Sequence, residues 1–169
     1  MIEFTGEQVN NYVNRMLDIL YENDSFLLQK HLNITERAIT HKMGMYLQQL
    51  LPSDVDVDCE YNRMGKKMGN EVWYTEGDYF AKAVCLTEGY VQDDDDEGSR
   101  VFPDIIVHKR GTPLNYIIIE VKIDWKSNRA THDRKKLKAY MHDLEYQFAY
   151  YIQLSERRNE VHIELINFA

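Results

Sequence analysis

The stretch Val101-Phe102-Pro103-Asp104-Ile105-Ile106-Val107-His108-Lys109-Arg110-Gly111-Thr112-Pro113-Leu114-Asn115-Tyr116-Ile117-Ile118-Ile119-Glu120-Val121-Lys122-Ile123 decides how the chain is read. Two β-rich runs, Val101 to Val107 and Tyr116 to Ile123, flank a segment that holds the turn formers Gly111 and Pro113. That layout predicts a β-hairpin. With the apex near Thr112, Asp104 and Glu120 lie eight residues to either side of it. In an antiparallel pair such positions face each other, with Cβ atoms about 4.5–5.5 Å apart. Facing carboxylates repel, and a cation between them turns the cost into a gain. Side chains alternate along a strand, so Glu120 and Lys122 share one face while Ile119 and Val121 point into the core. Asp104, Glu120 and Lys122 are therefore expected to converge on one patch.

On the N-terminal side, Val9, Tyr12, Val13, Met16, Leu17 and Leu20 recur at three- and four-residue steps between Glu7 and Tyr21, the pattern of an amphipathic helix. A second helix is predicted from Thr35 to Leu51, with Thr35 as cap, Glu36 at the positive end and Pro52 past the stop. Val55, Val57 and Cys59 alternate with Asp56, Asp58 and Glu60 as a strand. Tyr79 to Leu86 reads as a short helix or strand, and the acidic run Asp93-Asp94-Asp95-Asp96-Glu97 as a solvated loop. Beyond the hairpin, Thr131 to Tyr146 reads as a basic amphipathic helix, and Gln147 to Leu154 and Glu160 to Phe168 as strands. This order predicts a single α/β domain over 1–169, a mixed sheet with a central antiparallel hairpin flanked by helices, and an insertion at about 65–100.

Composition removes several classes of protein. The 169 residues correspond to about one domain. No apolar run approaches the eighteen residues of a membrane span, and Met1 to Glu7 lack the basic-then-apolar layout of a signal peptide. Cys59 and Cys85 are too few for a disulfide framework or a zinc ribbon, so a reducing, cytoplasmic setting is expected. Twenty Lys+Arg against 28 Asp+Glu leave a net charge of −8. Phosphate contacts dominate affinity for duplex DNA, so any nucleic-acid site on this chain must be a local basic patch. Arg129, Arg134, Lys135, Lys136 and Lys138 form a basic cluster on one helix, joined by Lys122, Lys126, Lys109 and Arg110, with its densest part, Arg134, Lys135 and Lys138, as the expected phosphate track; a solvated helix face is the alternative.

Two carboxylates with hard oxygen donors suit Mg²⁺, which binds through one or two carboxylates and keeps room for phosphate. An ammonium beside them can position an attacking water or stabilise charge on a phosphate. The chemistry implied is metal-dependent hydrolysis of a phosphodiester. An exposed Glu-x-Lys on a strand face is the plainer alternative. Glu36 and Thr40 share a helix face while His41 turns about 140° away. No nucleophile elbow, Gly-rich phosphate loop or paired-histidine metal spacing is present. Tyr140, Tyr150 and Tyr151 read as core or interface rather than as base-stacking platforms.

Pro103-Asp104, fifteen intervening residues, and Glu120-Val121-Lys122 together resemble the signature of the PD-(D/E)XK nuclease superfamily, the restriction endonuclease-like group. The stretches Glu36-Arg37-Ala38-Ile39-Thr40-His41-Lys42, Asp58-Cys59-Glu60-Tyr61-Asn62-Arg63 and Asp133-x-x-Lys136-Leu137-x-x-Tyr140 are similar to those of small bacterial and phage proteins assigned to it. The resemblance runs from Thr35 to Leu154, with Gly65 to Arg100 outside it. It implies a restriction endonuclease-like core in which Asp104 and Glu120 hold Mg²⁺ or Mn²⁺, joined by the Val121 carbonyl. Lys122 would serve the attacking water and Glu36 would assist; a plain helix-start carboxylate is the other reading of Glu36. DNA is the implied substrate, and a homodimer is an expectation by resemblance alone. The competing function is a nuclease-fold binding or regulatory protein without turnover, engaging protein partners through its acidic surface.

Overall fold

The computed structural model describes residues 2–65, 67–68, 71–72, 79–81, 83–84, 99–100, 102–126 and 130–167, with backbone alone at 64–100 and 130. Helix α1 (Gly6–Asp24) opens on a reciprocal cap: Gln8 N–H donates to Thr5 Oγ1 (3.2 Å), and Thr5 N–H donates to Gln8 Oε1 (2.9 Å). Helix α2 (Glu36–Leu50) starts where Thr35 Oγ1 accepts the Ala38 N–H (3.3 Å), which leaves Glu36 in its first turn. Strand β1 (Asp56–Asp58) follows. Then come β2 (Arg63–Gly65), β3 (Lys67–Met68), β4 (Glu71–Val72), β5 (Tyr79–Ala81), β6 (Ala83–Val84) and β7 (Ser99–Arg100). These six form separate antiparallel pairs, β2 with β5, β3 with β4, and β6 with β7. The last elements are β8 (Ile105–His108), β9 (Asn115–Ile123), α3 (Ala130–Asp143), β10 (Phe148–Leu154) and β11 (His162–Ile166).

The main sheet runs β1-β8-β9-β10-β11. Its pairs are antiparallel except β9 with β10, which are parallel because α3 carries the chain across between them. The fold is therefore mixed α/β, with the predicted hairpin, β8 and β9, at its centre. Strand β9 is buried along almost its whole length, as a strand covered on both faces must be. On one face Ile105, Val107, Ile117, Ile119 and Val121 pack with Val13, Leu17, Ile39 and Met43 of α1 and α2. On the other, Ile106, Ile118, Ala149 and Tyr151 pack with Leu137, Tyr140, Met141 and Leu144. Helix α3 thus covers the face that carries Glu120.

Several sequence-based boundaries need correction. The first hairpin strand is described from Ile105 to His108: Phe102 and Pro103 lie outside it, Asp104 sits in a bend, and Val101 lies outside the described residues. The helix predicted to Tyr146 stops at Asp143, and Glu145 follows with a left-handed φ of 55° that no helix continues through. The strand predicted to Phe168 ends at Ile166. Tyr79 to Leu86 is strand over Tyr79–Ala81 and Ala83–Val84; its end at Cys85-Leu86, and the acidic run from Asp93 to Glu97, lie outside the described residues.

A charge cluster pins β1 to the hairpin. Arg110 grips Asp58 with Nε (2.7 Å) and Nη2 (2.5 Å), and His108 Nε2 stands 2.8 Å from Asp58 Oδ2. Burial alone would raise the Asp58 pKa, but His108 and Arg110 hold it far below its ordinary 3.8. A depressed folded-state pKa contributes stability above the unfolded value, and that stability is lost as pH falls through the folded one. Asp58→Asn is expected to cost about 1–3 kcal/mol at neutral pH. The gap from wild type should shrink on acidification below about pH 4; an equal loss by denaturant melts at pH 7 and in strong acid would contradict it.

Candidate active site

Hydrophobic burial cannot explain Glu120. It lies mid-strand in β9 with its side chain 2% exposed, where an isolated carboxylate costs several kcal/mol unless it is paired. Its surroundings are built from three elements. The ladder pairs Ile105↔Ile119, Ile106↔Ile118 and Val107↔Ile117 are each symmetric about Thr112, and a bulge breaks the symmetry only at His108. One step beyond the ladder, Asp104 lies next to Glu120 as the hairpin arithmetic predicts. It reaches across through a hydrogen bond that its Oδ2 accepts from Val121 N–H (2.7 Å).

Lys122 is the hub of the cluster. Its Nζ donates to the Val121 carbonyl (2.9 Å) and to Glu36 Oε1 (3.1 Å). Asp104 Oδ2 and Asp133 Oδ2 each stand 3.8 Å from the same nitrogen. Glu36 arrives from the first turn of α2, and Asp133 from the first turn of α3. One turn further along α3, Lys136 Nζ lies 3.0 Å from Glu120 Oε1, close as a charge but not aligned as a hydrogen bond. Glu36, Asp104, Glu120 and Lys122, proposed from sequence, are therefore together, and the Val121 carbonyl faces the same point.

Four carboxylates and two ammonium groups give this cluster a formal charge of −2. The excess shows in the titration of its members. Burial, with Asp104 alongside, raises the Glu120 pKa well above the ordinary carboxylate range despite Lys136 and Lys122. Burial likewise raises Asp104 and Glu36 against the pull of Lys122. Burial works against the Lys122 ammonium, yet Asp104, Glu36 and Asp133 hold its pKa above the ordinary value. Tyr140, buried beside Glu120, is raised by burial first and by Glu120 and Asp104 next.

The donor set fits a hard divalent cation. Asp133 Oδ2 is buried and accepts no hydrogen bond among the described residues, and Glu120 Oε1 is met only by the Lys136 ammonium at 3.0 Å. All donors are oxygens, and the charge excess is that of one divalent ion. Among the described residues no three acidic, imidazole or thiol groups yet close around one point. Lys122 and Lys136 occupy the spaces between them.

Two members of the cluster, Asp133 and Lys136, enter the sequence reading within a family-like stretch, with no place in the site. Lys136 reads as part of a basic helix face but turns inward, its side chain 19% exposed. Asp133, three residues earlier, lies on the same inward face; the signal was the i, i+3 spacing of an acid and a base ahead of Leu137 and Tyr140. The expected phosphate track divides. Arg134 is engaged by Glu164 (Nη2 to Oε2, 2.7 Å) and sits over the Tyr151 ring. Lys135 and Lys138 are exposed and line a groove of about 440 Å³ between α3 and β11. Tyr140, Tyr150 and Tyr151 are buried, as read from sequence. No described helix is long and apolar enough to cross a membrane. Compared with known proteins, the chain matches no family model, no curated protein and no solved structure.

Proposed function

We propose that this protein is a metal-dependent nuclease with a restriction endonuclease-like core, hydrolysing DNA phosphodiester bonds. One observation carries the reading: Glu36, Asp104 and Asp133 around Lys122, with Glu120 beside Lys136, form a cluster of formal charge −2, partly buried to buried, at the end of the central hairpin. Buried charge this unbalanced is costly in a resting fold and useful in a site that receives a cation. Asp104 and Glu120, with the Val121 carbonyl, would hold Mg²⁺ or Mn²⁺. Such an ion, when bound, supplies Lewis-acid stabilisation of the charge that develops on a phosphodiester oxygen. The Lys122 ammonium holds the attacking water and offers positive charge to the phosphate. Glu36, hydrogen-bonded to Lys122 and raised in pKa by burial, accepts the water's proton at a carboxylate oxygen. Asp104, tied to Val121 N–H, is already oriented, so little ordering is left to binding.

A second reading, a nuclease-fold protein that binds protein partners without turnover, is favoured by the ion pairs that Lys122 and Lys136 already make with the site carboxylates. Incubation with plasmid, linear and single-stranded DNA across a Mn²⁺ series separates the two. Cleavage that requires the metal supports the nuclease; its absence with every substrate supports the binder.

The groove between α3 and β11 is the expected phosphate contact. In Ca²⁺, the Lys135→Ala/Lys138→Ala double variant should flatten the slope of log affinity against log salt by up to about 1.8 for duplex DNA, or about 0.9 per lost contact. Arg134→Ala should act chiefly on stability, because Arg134 is committed to Glu164 and Tyr151. A double variant with the wild-type slope would place the track elsewhere.

A further inference from the structure

Asp133 is a buried acid whose role the nuclease reading leaves open. The residue is 4% exposed, and its Oδ2 accepts no hydrogen bond among the described residues. It points at Lys122 Nζ from 3.8 Å, the same distance as Asp104 Oδ2. An ammonium has three N–H donors. Two of those on Lys122 go to Val121 O and Glu36 Oε1, and neither Asp104 nor Asp133 has an aligned claim on the third. Asp104 Oδ2 already accepts the Val121 N–H; Asp133 Oδ2 has no donor among the described residues.

We propose that Asp133 is a positioning residue for the metal site: it is the acceptor that draws the Lys122 ammonium away from Asp104 when a divalent cation binds there. The proposal rests on the nuclease reading of the same cluster. The physical argument is competition. Lys122 and a divalent ion are rival cations for Asp104, and two positive charges at one oxygen repel. The ion can enter only if the ammonium keeps a counter-charge elsewhere. Glu36 supplies one such partner, and Asp133 is placed to supply the other at little new desolvation cost, since it is already buried and its Oδ2 accepts no hydrogen bond among the described residues. Helix α3 delivers it because Asp133 shares the inward face with Lys136, Leu137 and Tyr140. Without Asp133, the ammonium stays on Asp104 and the cation binds against it.

The test is Mn²⁺ titration by calorimetry into wild type, Asp133→Asn, Lys122→Met and the double variant, with melting in EDTA as the measure of folding. Asp133→Asn is expected to weaken Mn²⁺ binding about tenfold, the scale of a supporting residue around a metal. In the Lys122→Met background the same change should cost less than about threefold, since the ammonium it steers is gone. The melting temperature of Asp133→Asn in EDTA should equal or exceed that of wild type, because removing one carboxylate takes the formal charge of the cluster from −2 to −1. Asp133→Glu, which returns the carboxylate, should recover most of the affinity, and it stands in for the test if the Asn variant fails to fold. Wild-type affinity in Asp133→Asn, or the same loss in both backgrounds, overturns the role of Asp133 and leaves the nuclease reading standing. A folded Asp133→Glu as weak as Asp133→Asn also overturns it. A wild-type protein that takes up no Mn²⁺ overturns both.

Discussion

Glu120→Gln and Asp104→Asn are each expected to lower metal-dependent cleavage by about three orders of magnitude while leaving the metal-free fold as stable as wild type or about 1 kcal/mol more stable. The two effects have opposite signs because they come from different states. With the cation, each variant loses an anionic oxygen donor and the charge that goes with it. Without the cation, each loses a carboxylate that its surroundings oppose: burial and the neighbouring acid raise Glu120, and burial raises Asp104 even beside Lys122. A neutral isostere keeps the volume and removes the repulsion. For Glu120→Gln this gain is partly offset by the charge left on Lys136, 3.0 Å away. Cleavage assays and thermal melts in EDTA check the pair. Loss of folding in both variants would make these residues structural and remove the reason for assigning them to a site.

Lys122→Met should do the reverse in the resting protein. Its side chain is 14% exposed and it stands among Glu36, Asp104 and Asp133, so its loss takes the formal charge of the cluster from −2 to −3. Leaving buried charges without their partner costs about 3–5 kcal/mol. Cleavage is expected to be abolished as well, since the charge that holds the water is lost. A divalent ion, however, replaces the missing positive charge, so Mn²⁺ should raise the melting temperature of Lys122→Met by more than it raises that of wild type. Equal shifts in the two proteins would mean that the metal and the ammonium do not share one set of carboxylates.

The hairpin was legible because its signals are local. The run Ile117-Ile118-Ile119 can only be a covered strand, Gly111 and Pro113 mark the turn, and the symmetry about Thr112 follows from counting. The placement of Glu120 and Lys122 on one face follows from the period of two along β9. What escaped depends on docking. That α3 lies over Glu120, so that the site is buried rather than an open patch, is decided by which faces of β9 and β10 need cover. Lys136 and Lys138 are both lysines on one helix, and only the contact with the sheet separates the inward one from the exposed one. Arg134 reads as a free cation until β11 brings Glu164 beside it. The sequence leaves Glu36 between a site residue and a plain helix-start carboxylate, because the α2 register relative to β9 is set by Ile39 and Met43 in the core.

Anomalous diffraction from a crystal soaked in Mn²⁺ tests the central claim most directly. The account predicts a peak between the Asp104 and Glu120 carboxylates, about 2.1 Å from an oxygen of each, with Lys122 Nζ displaced toward Glu36 and Asp133. A soaked crystal with no peak at these carboxylates, or with its only peak on the acidic surface away from β9, would contradict it.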